Sequence, residues 1–475
     1  MNKSLGLKRD DLITIDNVKT VDKLLKFHKI YVFGDAKYTS SNESNLIIKL
    51  RLKDSHFTHV GDENRITHIN THRVNKNATI YSFDKIYDTK EVRLYDGKTI
   101  IVVSFKEFNT MQRDKKNYIF IKKSKLSTTL EDAYTDRLKE RTELIEATKG
   151  KIDLFRYSSL NDCILDTFKN YSKSLQEPEQ ITAQEALFIN NAFQGGLMYA
   201  EKYDGMIHGY DVNSMYPSIY IHDHFQFPVK EGKLIEINQA DFEKLEHYKY
   251  GIYHCNVEFD ENRIKLFRFN KRNYYTHTDL TRARELNFKI TIIEDDGVNA
   301  LQYERSDLIR SEKVFSAYVN MLFPLKQKYN YKIIKTFLNM IWGLFSEKNT
   351  RETVIKTDSQ LNQNNDEEIL HICQSGEPEG KNHRVTFVNR QKIFKNNLAR
   401  MSPFLTAFAR LKLSRVMEPF ESQIKRIHTD AFYLEKELNN DDLDIGIKLG
   451  QFKLDTKKTG MCKIENVRKM TILNE

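Results

Sequence analysis

Asp211 stands where a carboxylate could hold a metal ion. The run His208–Val212 predicts a buried strand that stops at this acidic side chain, and an Asn-Ser pair then predicts a turn and a helix entry. A metal-bound polyphosphate suits this arrangement. The carboxylate would bind the cation, the turn amides of Ser214 and Met215 would meet phosphate oxygens, and the Tyr216 ring would lie beneath a sugar. The alternative is an Asp that caps a helix, followed by a core Tyr.

A second candidate lies on a predicted helix over residues 331–345. Its apolar residues recur at helical spacing and predict one buried face, formed by Ile334, Phe337, Leu338, Ile341 and Phe345. Lys335, Asn339 and Trp342 recur at i, i+4 and i+7 and therefore share another face. A Lys is a point charge suited to a triphosphate, and an aromatic ring can pack on a base or sugar. Upstream, the basic face is extended by Lys326, Lys328 and Lys332.

A third candidate is Asp430. Two short apolar runs flank His428-Thr-Asp-Ala431, and this pattern predicts a β-hairpin with Asp430 at its tip.

The three segments together resemble the motifs of family B DNA polymerases. Asp-x-x-Ser-x-Tyr-Pro from Asp211 is similar to motif A. The segment from Lys335 to Gly343 is similar to motif B, with Met340 and Trp342 in place of a Ser and a Tyr. His428-Thr-Asp-Ala is similar to motif C, Asp-Thr-Asp-Ser, so His428 replaces an Asp and removes one negative charge.

The resemblance implies a catalytic role for Asp211 and Asp430. The two carboxylates would hold two Mg²⁺ or Mn²⁺ ions about 4 Å apart, with the Val212 carbonyl as an extra ligand. Ser214, Met215, Lys335, Asn339 and Trp342 would bind the nucleotide. Tyr216 would exclude a 2′-hydroxyl and so favour dNTPs. The partners would be a DNA template, a primer and dNTPs.

Weaker matches point to the protein-primed branch of this family, found in small phages, linear plasmids and mobile elements. Phe193-Gln-Gly195-Gly196 resembles its Tyr-x-Gly-Gly element, which contacts the template, although an ordinary loop is the alternative. Lys469 matches the Lys of its Lys-x-Tyr motif, while Thr471 replaces the Tyr. Insertion-like segments are expected at about 225–310 and 346–399, the latter with a loop at 358–366. A priming terminal protein or a processivity subunit would be a further partner, and a thumb is expected to be missing.

The N-terminal part resembles the family's exonuclease domain with its chemistry lost. Asp35 matches the first carboxylate, but Lys37 stands where a Glu belongs. Asp84 and Asp162 lie in segments that depart from the second and third motifs. Because a cation cannot replace a metal-binding carboxylate, no proofreading is expected.

The predicted fold class is α+β. A palm of antiparallel sheet with packed helices, together with helical fingers, would occupy residues 179–475, preceded by an exonuclease-like α/β domain over residues 1–178. The predicted function is template-directed addition of dNTPs to a primer or protein-primed hydroxyl. The alternative is a catalytically weak or inactive polymerase fold that binds nucleic acid within a larger complex.

Composition agrees with this prediction. The 475 residues contain 75 Lys and Arg against 66 Asp and Glu, a formal charge of +9 and of the sign that a phosphate binder needs. The four cysteines are widely spaced, which favours a reducing compartment over a zinc or disulfide framework. No signal peptide or long apolar run is evident, so we expect a cytoplasmic protein without a membrane partner, in the host cell of a virus, plasmid or mobile element.

Overall fold

Packing divides the chain into two compact units. The computed structural model describes residues 18–20, 23, 29–34, 37–41, 47–53, 56–60, 72–123, 129–172, 178–258, 260, 263–294, 297–355, 361–375, 382–439 and 441–473. One unit comprises residues 1–67 and 173–177, and the other comprises 68–172 and 178–475. Among the described residues, no helix is both long enough and apolar enough to cross a membrane. The predicted division at residue 178 into two functional domains stays a prediction.

The smaller unit contains a four-stranded sheet in the order β2-β1-β3-β4. Its strands are β1 (Lys29–Gly34), β2 (Tyr38–Thr39), β3 (Ile47–Lys53) and β4 (His56–Val60). β1 and β3 are parallel, and the other pairs are antiparallel. Asp35 lies outside the described residues, and Lys37 is exposed just before β2.

The larger unit begins with a second four-stranded sheet, in the order β7-β6-β5-β8. Its elements are β5 (Thr79–Ile86), β6 (Glu91–Tyr95), β7 (Ile100–Ser104), α1 (Phe105–Arg113) and β8 (Tyr118–Lys122). Two helices follow, α2 (Leu130–Thr148) and α3 (Leu160–Tyr171). Phe168 of α3 packs on Phe315 and Phe345, with ring centroids 5.0 Å apart in both pairs. This aromatic core joins residues 68–172 to helices much later in the chain.

The predicted strand, turn and helix around Asp211 are confirmed. The elements here are α4 (Ala183–Ala192), β9 (Leu197–Ala200), β10 (Tyr203–Val212) and α5 (Met215–Tyr220). Thr182 caps α4, since its hydroxyl accepts from the Glu185 N–H.

Residues 226–310 form two small antiparallel sheets. Their elements are β11 (Gln226–Pro228), β12 (Lys233–Ile235), α6 (Gln239–Glu243), β13 (Gly251–Val257), β14 (Tyr274–Thr276), α7 (His277–Glu285), β15 (Ile290–Ile292), β16 (Ala300–Gln302) and β17 (Leu308–Arg310). β11 pairs with β17, and the others follow the order β12-β16-β13-β14, with β15 also on β13.

Two long helices follow, α8 (Ser311–Tyr329) and α9 (Lys332–Phe345). The chain turns between them at Asn330, which has a φ of +52°. All five apolar positions predicted for the buried face of α9 are fully buried. The periodicity prediction is therefore confirmed for this helix.

Residues 350–389 contain a three-stranded antiparallel sheet that we did not predict. The strands β18 (Thr350–Ile355), β19 (Glu367–Ser375) and β20 (Asn382–Asn389) pair in the order β18-β20-β19. The signal was the alternation in β20, where Val385 and Phe387 are buried and pack with Ile355. Of the predicted loop at 358–366, residues 361–366 are described and form no strand.

The last elements complete the central sheet. They are α10 (Met401–Met417), β21 (Ile424–Thr429), β22 (Ala431–Leu434), β23 (Phe452–Leu454), β24 (Gly460–Asn466) and β25 (Lys469–Ile472). The order is β25-β24-β10-β22-β21-β9, with β23 also on β10, and every pair is antiparallel. The α+β prediction is confirmed.

Candidate active site

The two predicted catalytic carboxylates lie side by side at one end of the central sheet. β10 and β22 pair in a register that sets Asp211 opposite Ala431, the residue after Asp430. The Val212 N–H donates to the Asp430 carbonyl at 3.0 Å. Backbone pairing therefore brings together two acidic residues that are far apart in the sequence.

Asp430 sits on a tight and strained hairpin tip. Thr429 has a φ of +64°, an unfavourable conformation for a β-branched residue. The Asp430 N–H donates to the His428 carbonyl at 2.9 Å and closes a three-residue turn. The His428 side chain is exposed, and partial desolvation, with a smaller contribution from Arg426, lowers its pKa. Because an imidazole is either neutral or positively charged, His428 cannot supply the negative charge that an Asp would bring beside Asp430.

The carboxylate pair is electrostatically frustrated when no cation is bound between its members. Desolvation raises the pKa of Asp430, and the neighbouring Asp211 carboxylate raises it further. Lys335 and Lys458 partly offset this effect. Two adjacent carboxylates destabilise each other's charged form, and a divalent cation would relieve that repulsion.

Two further lysines complete the site. Lys453, to which the motifs gave no role, places its Nζ 3.1 Å from Asp211 Oδ2. Lys326, predicted as part of a basic face, donates to Asn213 Oδ1 at 2.9 Å and to Ser214 Oγ at 2.6 Å. Desolvation, together with repulsion from Lys453 and Lys335, lowers the pKa of Lys326 to about 8. The positive charge facing the carboxylates suits an anionic ligand such as a polyphosphate.

The turn after Asp211 differs in detail from the prediction. Ser214 has a φ of +57° and makes no capping hydrogen bond to α5 through its side chain, because its hydroxyl meets Lys326. The Met215 side chain is only 3 % exposed and packs in the core. Met215 can therefore reach a ligand through its backbone, not its side chain.

An aromatic cluster joins the predicted motif A and motif B residues. The Tyr216 and Trp342 rings are 4.9 Å apart, and Phe193 approaches Trp342 edge-on at 5.9 Å. Desolvation and the nearby Asp430 raise the pKa of Tyr216 to about 12, so its hydroxyl stays protonated. On the same face of α9, Lys335 is exposed and Asn339 is partly buried. The predicted nucleotide-binding face is thus next to the carboxylates.

The predicted glycine loop packs directly against the hairpin that carries Asp430. A Cβ added to Gly196 would lie 2.9 Å from the Thr429 Cα, whereas one added to Gly195 would meet nothing within 4 Å. Arg410 donates to the carbonyls of Gln194 and Gly195 at 3.0 and 2.8 Å. Arg268 donates to the carbonyl of Gly196. Sequence reasoning missed both arginines, because they come from segments outside the motifs.

Arg410 is itself held by a buried ion pair with Asp279, whose Oδ1 lies 2.8 Å from Arg410 Nη2. This ion pair connects α7 and α10 and sets the position of the loop.

A basic cavity of about 420 Å³ opens beside the glycine loop. Its lining includes Arg268, Lys271, Arg272 and Lys348, and no carboxylate from the described residues. Burial and the adjacent Arg272 lower the pKa of Lys348. Phe269 also lines the cavity and offers an apolar surface near the cations. Clustered cations next to an aromatic ring are typical of a groove for single-stranded nucleic acid.

One of the other predicted residues lies away from the carboxylates. Lys469 pairs with Glu465 at 2.9 Å, and its hairpin adjoins the Tyr203 end of β10. Since β10 rises about 3.4 Å per residue, that end is roughly 25 Å from Asp211. Lys328 and Lys332 are exposed at the junction of α8 and α9.

The described exonuclease-like carboxylates are engaged with neighbouring side chains. Asp84 lies 3.6 Å from Lys123 Nζ. Asp162 accepts from the hydroxyls of Ser158 and Ser159 at 2.5 and 3.0 Å at the start of α3.

The donor set at the end of the sheet fits a hard divalent cation. Asp211 and Asp430 provide carboxylate oxygens, the ligands that Mg²⁺ and Mn²⁺ prefer. Among the described residues, no group of three or more His, Cys, Asp and Glu side chains could hold a metal. The protein thus offers a carboxylate pair, and further ligands would have to be backbone, water or substrate oxygens.

Replacing Gly196 with Ala should displace the hairpin tip. The new Cβ would collide with Thr429 backbone, so we expect Gly196→Ala to lower the free energy of unfolding by about 1–3 kcal/mol. Gly195→Ala is the matched control and should change it by less than about 0.5 kcal/mol. The free energies of unfolding of both variants are measured by urea denaturation, with circular dichroism as the signal. Equal stability of the two variants would contradict the close packing of Gly196.

Comparison with known proteins agrees with the motifs. A family model described as DNA polymerase type B, organellar and viral, matches residues 63–414. A probable DNA polymerase of Ascobolus immersus is 22 % identical over 320 residues, covering 62 % of this chain and 26 % of that protein. The match thus spans about a quarter of the length of that curated relative.

Solved structures of Phi29 DNA polymerase are also similar. The complex with single-stranded DNA has a TM-score of 0.48 at 15 % identity, covering 85 % of this chain and 77 % of that one. The ternary complex with primer-template DNA and nucleotide has a TM-score of 0.45 at 17 % identity, covering 68 % and 55 %. The family model matches well over half of the residues of this chain. The chain therefore belongs to the organellar and viral type B DNA polymerases.

Proposed function

We propose that this chain is a template-directed DNA polymerase that adds dNTPs to a primer 3′-hydroxyl with two divalent ions. One observation carries the proposal. Asp211 and Asp430 meet at the end of the central sheet, with Lys326, Lys335, Lys453 and Lys458 around them. A priming terminal protein and a processivity subunit stay predictions.

The residues at this site would have different roles in phosphoryl transfer. Asp211, Asp430 and the Val212 carbonyl would hold the ions. When bound, such ions lower the pKa of the attacking hydroxyl and stabilise the charge on the leaving pyrophosphate. Lys326 and Lys335 would neutralise the triphosphate. The Tyr216 ring, supported by Trp342 at 4.9 Å, would lie beneath the deoxyribose.

Neutralising either carboxylate should abolish catalysis without unfolding the protein. Asp211→Asn and Asp430→Asn each remove a charge that the transition state needs, so we expect incorporation to fall by about a thousandfold or more. Asp204→Asn is the matched control, because Asp204 is exposed on the same strand and pairs with Lys463, far from the site. Primer extension with Mg²⁺ or Mn²⁺ measures the rates. Full activity in either site variant contradicts the assignment, and an inert wild type favours the alternative of a nucleic-acid-binding subunit.

We propose that the basic cavity beside the glycine loop guides the single-stranded template. Four cations line one cavity, where burial and the adjacent Arg272 lower the pKa of Lys348, and a phosphate backbone would stabilise the charged form of these side chains. The Phe269 ring could stack on a base.

Removing two of these cations should lower the affinity for single-stranded DNA. It should also make that affinity less dependent on the salt concentration. For Lys271→Ala with Arg272→Ala, we expect the log–log salt slope to become shallower by about 1.4, since each lost phosphate contact contributes about 0.7. The control carries Lys244→Ala and Lys289→Ala, which remove equal charge from exposed ion pairs elsewhere. Fluorescence anisotropy across a salt series measures the slope. If the two double variants behave alike, the cavity is not the template path.

We also propose that the chain lacks proofreading. Lys37 stands where the exonuclease motif requires a Glu, and the Asp162 carboxylate accepts hydrogen bonds from two serines at the start of α3.

A primer with a 3′ mismatch should therefore remain untrimmed in the presence of Mg²⁺ and in the absence of dNTPs. Denaturing gel analysis of the primer measures this. Metal-dependent trimming that Asp162→Ala removes would show that the exonuclease site is intact. Trimming that survives both Asp162→Ala and Asp84→Ala would place the nuclease elsewhere.

A further inference from the structure

Strand register places a lysine directly opposite a predicted catalytic carboxylate. Asp211 pairs with Ala431 on one side of β10 and with Lys453 of β23 on the other. Directly opposite residues of antiparallel strands bring their Cβ atoms to about 5 Å. The Asp211–Lys453 contact is therefore a consequence of sheet pairing.

Buried neighbours hold that register. Phe452 lies opposite Val212, and these side chains are only 3 % and 2 % exposed. The Phe452 ring packs edge-on against Phe432, with centroids 5.7 Å apart. A slip of one residue would turn Phe452 towards solvent, so the hydrophobic core keeps Lys453 beside Asp211.

The contact is a direct ion pair on the atom that a metal would need. Lys453 Nζ lies 3.1 Å from Asp211 Oδ2, with the two side chains 50 % and 23 % exposed. Within the described part of the chain, Lys453 is the one cation at ion-pair distance from Asp211. Lys326 instead donates to Asn213 and Ser214.

We propose that Lys453 is a resident counter-ion of Asp211, which a divalent cation must displace in order to bind. This inference rests on the proposed function. A Mg²⁺ ion lies about 2.1 Å from its carboxylate oxygen, so an ammonium group on the same oxygen would be strongly repelled by the bound ion. The ion pair stabilises the Asp211 carboxylate when no metal is bound, and it lowers the site's affinity for metal. Once displaced, the half-exposed Lys453 is free to turn towards an anionic substrate.

Binding of Mn²⁺ to the full chain, measured by electron paramagnetic resonance of the free ion, tests this proposal without an activity assay. Lys453→Met should bind Mn²⁺ about threefold more tightly than the wild type, the size expected for loss of one half-exposed ion pair. Lys463→Met is the matched control, because Lys463 is exposed on β24 opposite Asp204 and its loss changes the net charge equally. The control should bind Mn²⁺ as the wild type does. Lys453→Gln replaces the Met variant if circular dichroism shows that the latter is unfolded.

A double-mutant cycle with Asp211→Asn separates the possible outcomes. Asp211→Asn should weaken Mn²⁺ binding, and Lys453→Met should have no further effect in that background. If Asp211→Asn weakens binding but Lys453→Met leaves the wild-type affinity unchanged or lower, the counter-ion proposal is wrong while the metal assignment stands. Equal tightening by Lys463→Met would also overturn the proposal, as a general charge effect. If Asp211→Asn binds Mn²⁺ like the wild type, the metal assignment in the proposed function fails as well.

Discussion

The antiparallel pairing of β10 with β22 and β23 is the constraint on which the candidate site depends. β10 carries Asp211 at its end, β22 begins just after Asp430, and β23 carries Lys453. The pairing is held by a buried aromatic layer in which Tyr210 stacks on Phe432 at 5.6 Å and Phe432 meets Phe452. Because side chains alternate along a strand, a shift of one residue would move Asp211 to the other face of the sheet. Hydrophobic packing thus determines where the charges lie.

The site places charges of the same sign close together, and this arrangement favours the ligand-bound site over the empty one. Two carboxylates lie side by side, so desolvation and mutual repulsion raise the pKa of Asp430. Several lysines surround them, and desolvation, together with repulsion from Lys453 and Lys335, lowers the pKa of Lys326. Neighbours of their own sign thus contribute to the destabilisation of Asp430 and Lys326, and cations and phosphates arriving together would relieve both kinds of repulsion. Such unfavourable charge arrangements are common at functional sites, where stability is given up for binding or catalysis.

Support for the site comes from a buried ion pair between α7 and α10. Arg410 pairs with Asp279 and holds the carbonyls of the glycine loop, while Gly196 lets that loop lie against Thr429. The strained backbone of Thr429 is therefore enclosed by tight packing, which is what such a conformation requires to persist. This layer links α7 and α10 to the position of Asp430.

Local pattern was sufficient for the elements that carry the motifs. A strand that ends in Asp211, the buried stripe of α9 and the hairpin tip at Asp430 follow from alternation and helical periodicity, which are properties of neighbouring residues. The same patterns failed for the sheet at 350–389, where Thr386 and the polar residues that precede Val385 concealed a half-buried strand.

Contacts between distant segments required the tertiary structure. The motifs gave no role to Lys453, Arg268 and Arg410, which reach the site only through strand register and helix packing. Strand register also places Lys469 at the other end of the sheet, far from the carboxylates. The sequence by itself determined which residues could carry the chemistry, because residue type and local periodicity depend only on the order of residues in the chain. The tertiary structure alone decided which charges meet, because electrostatic interactions depend on distances in space.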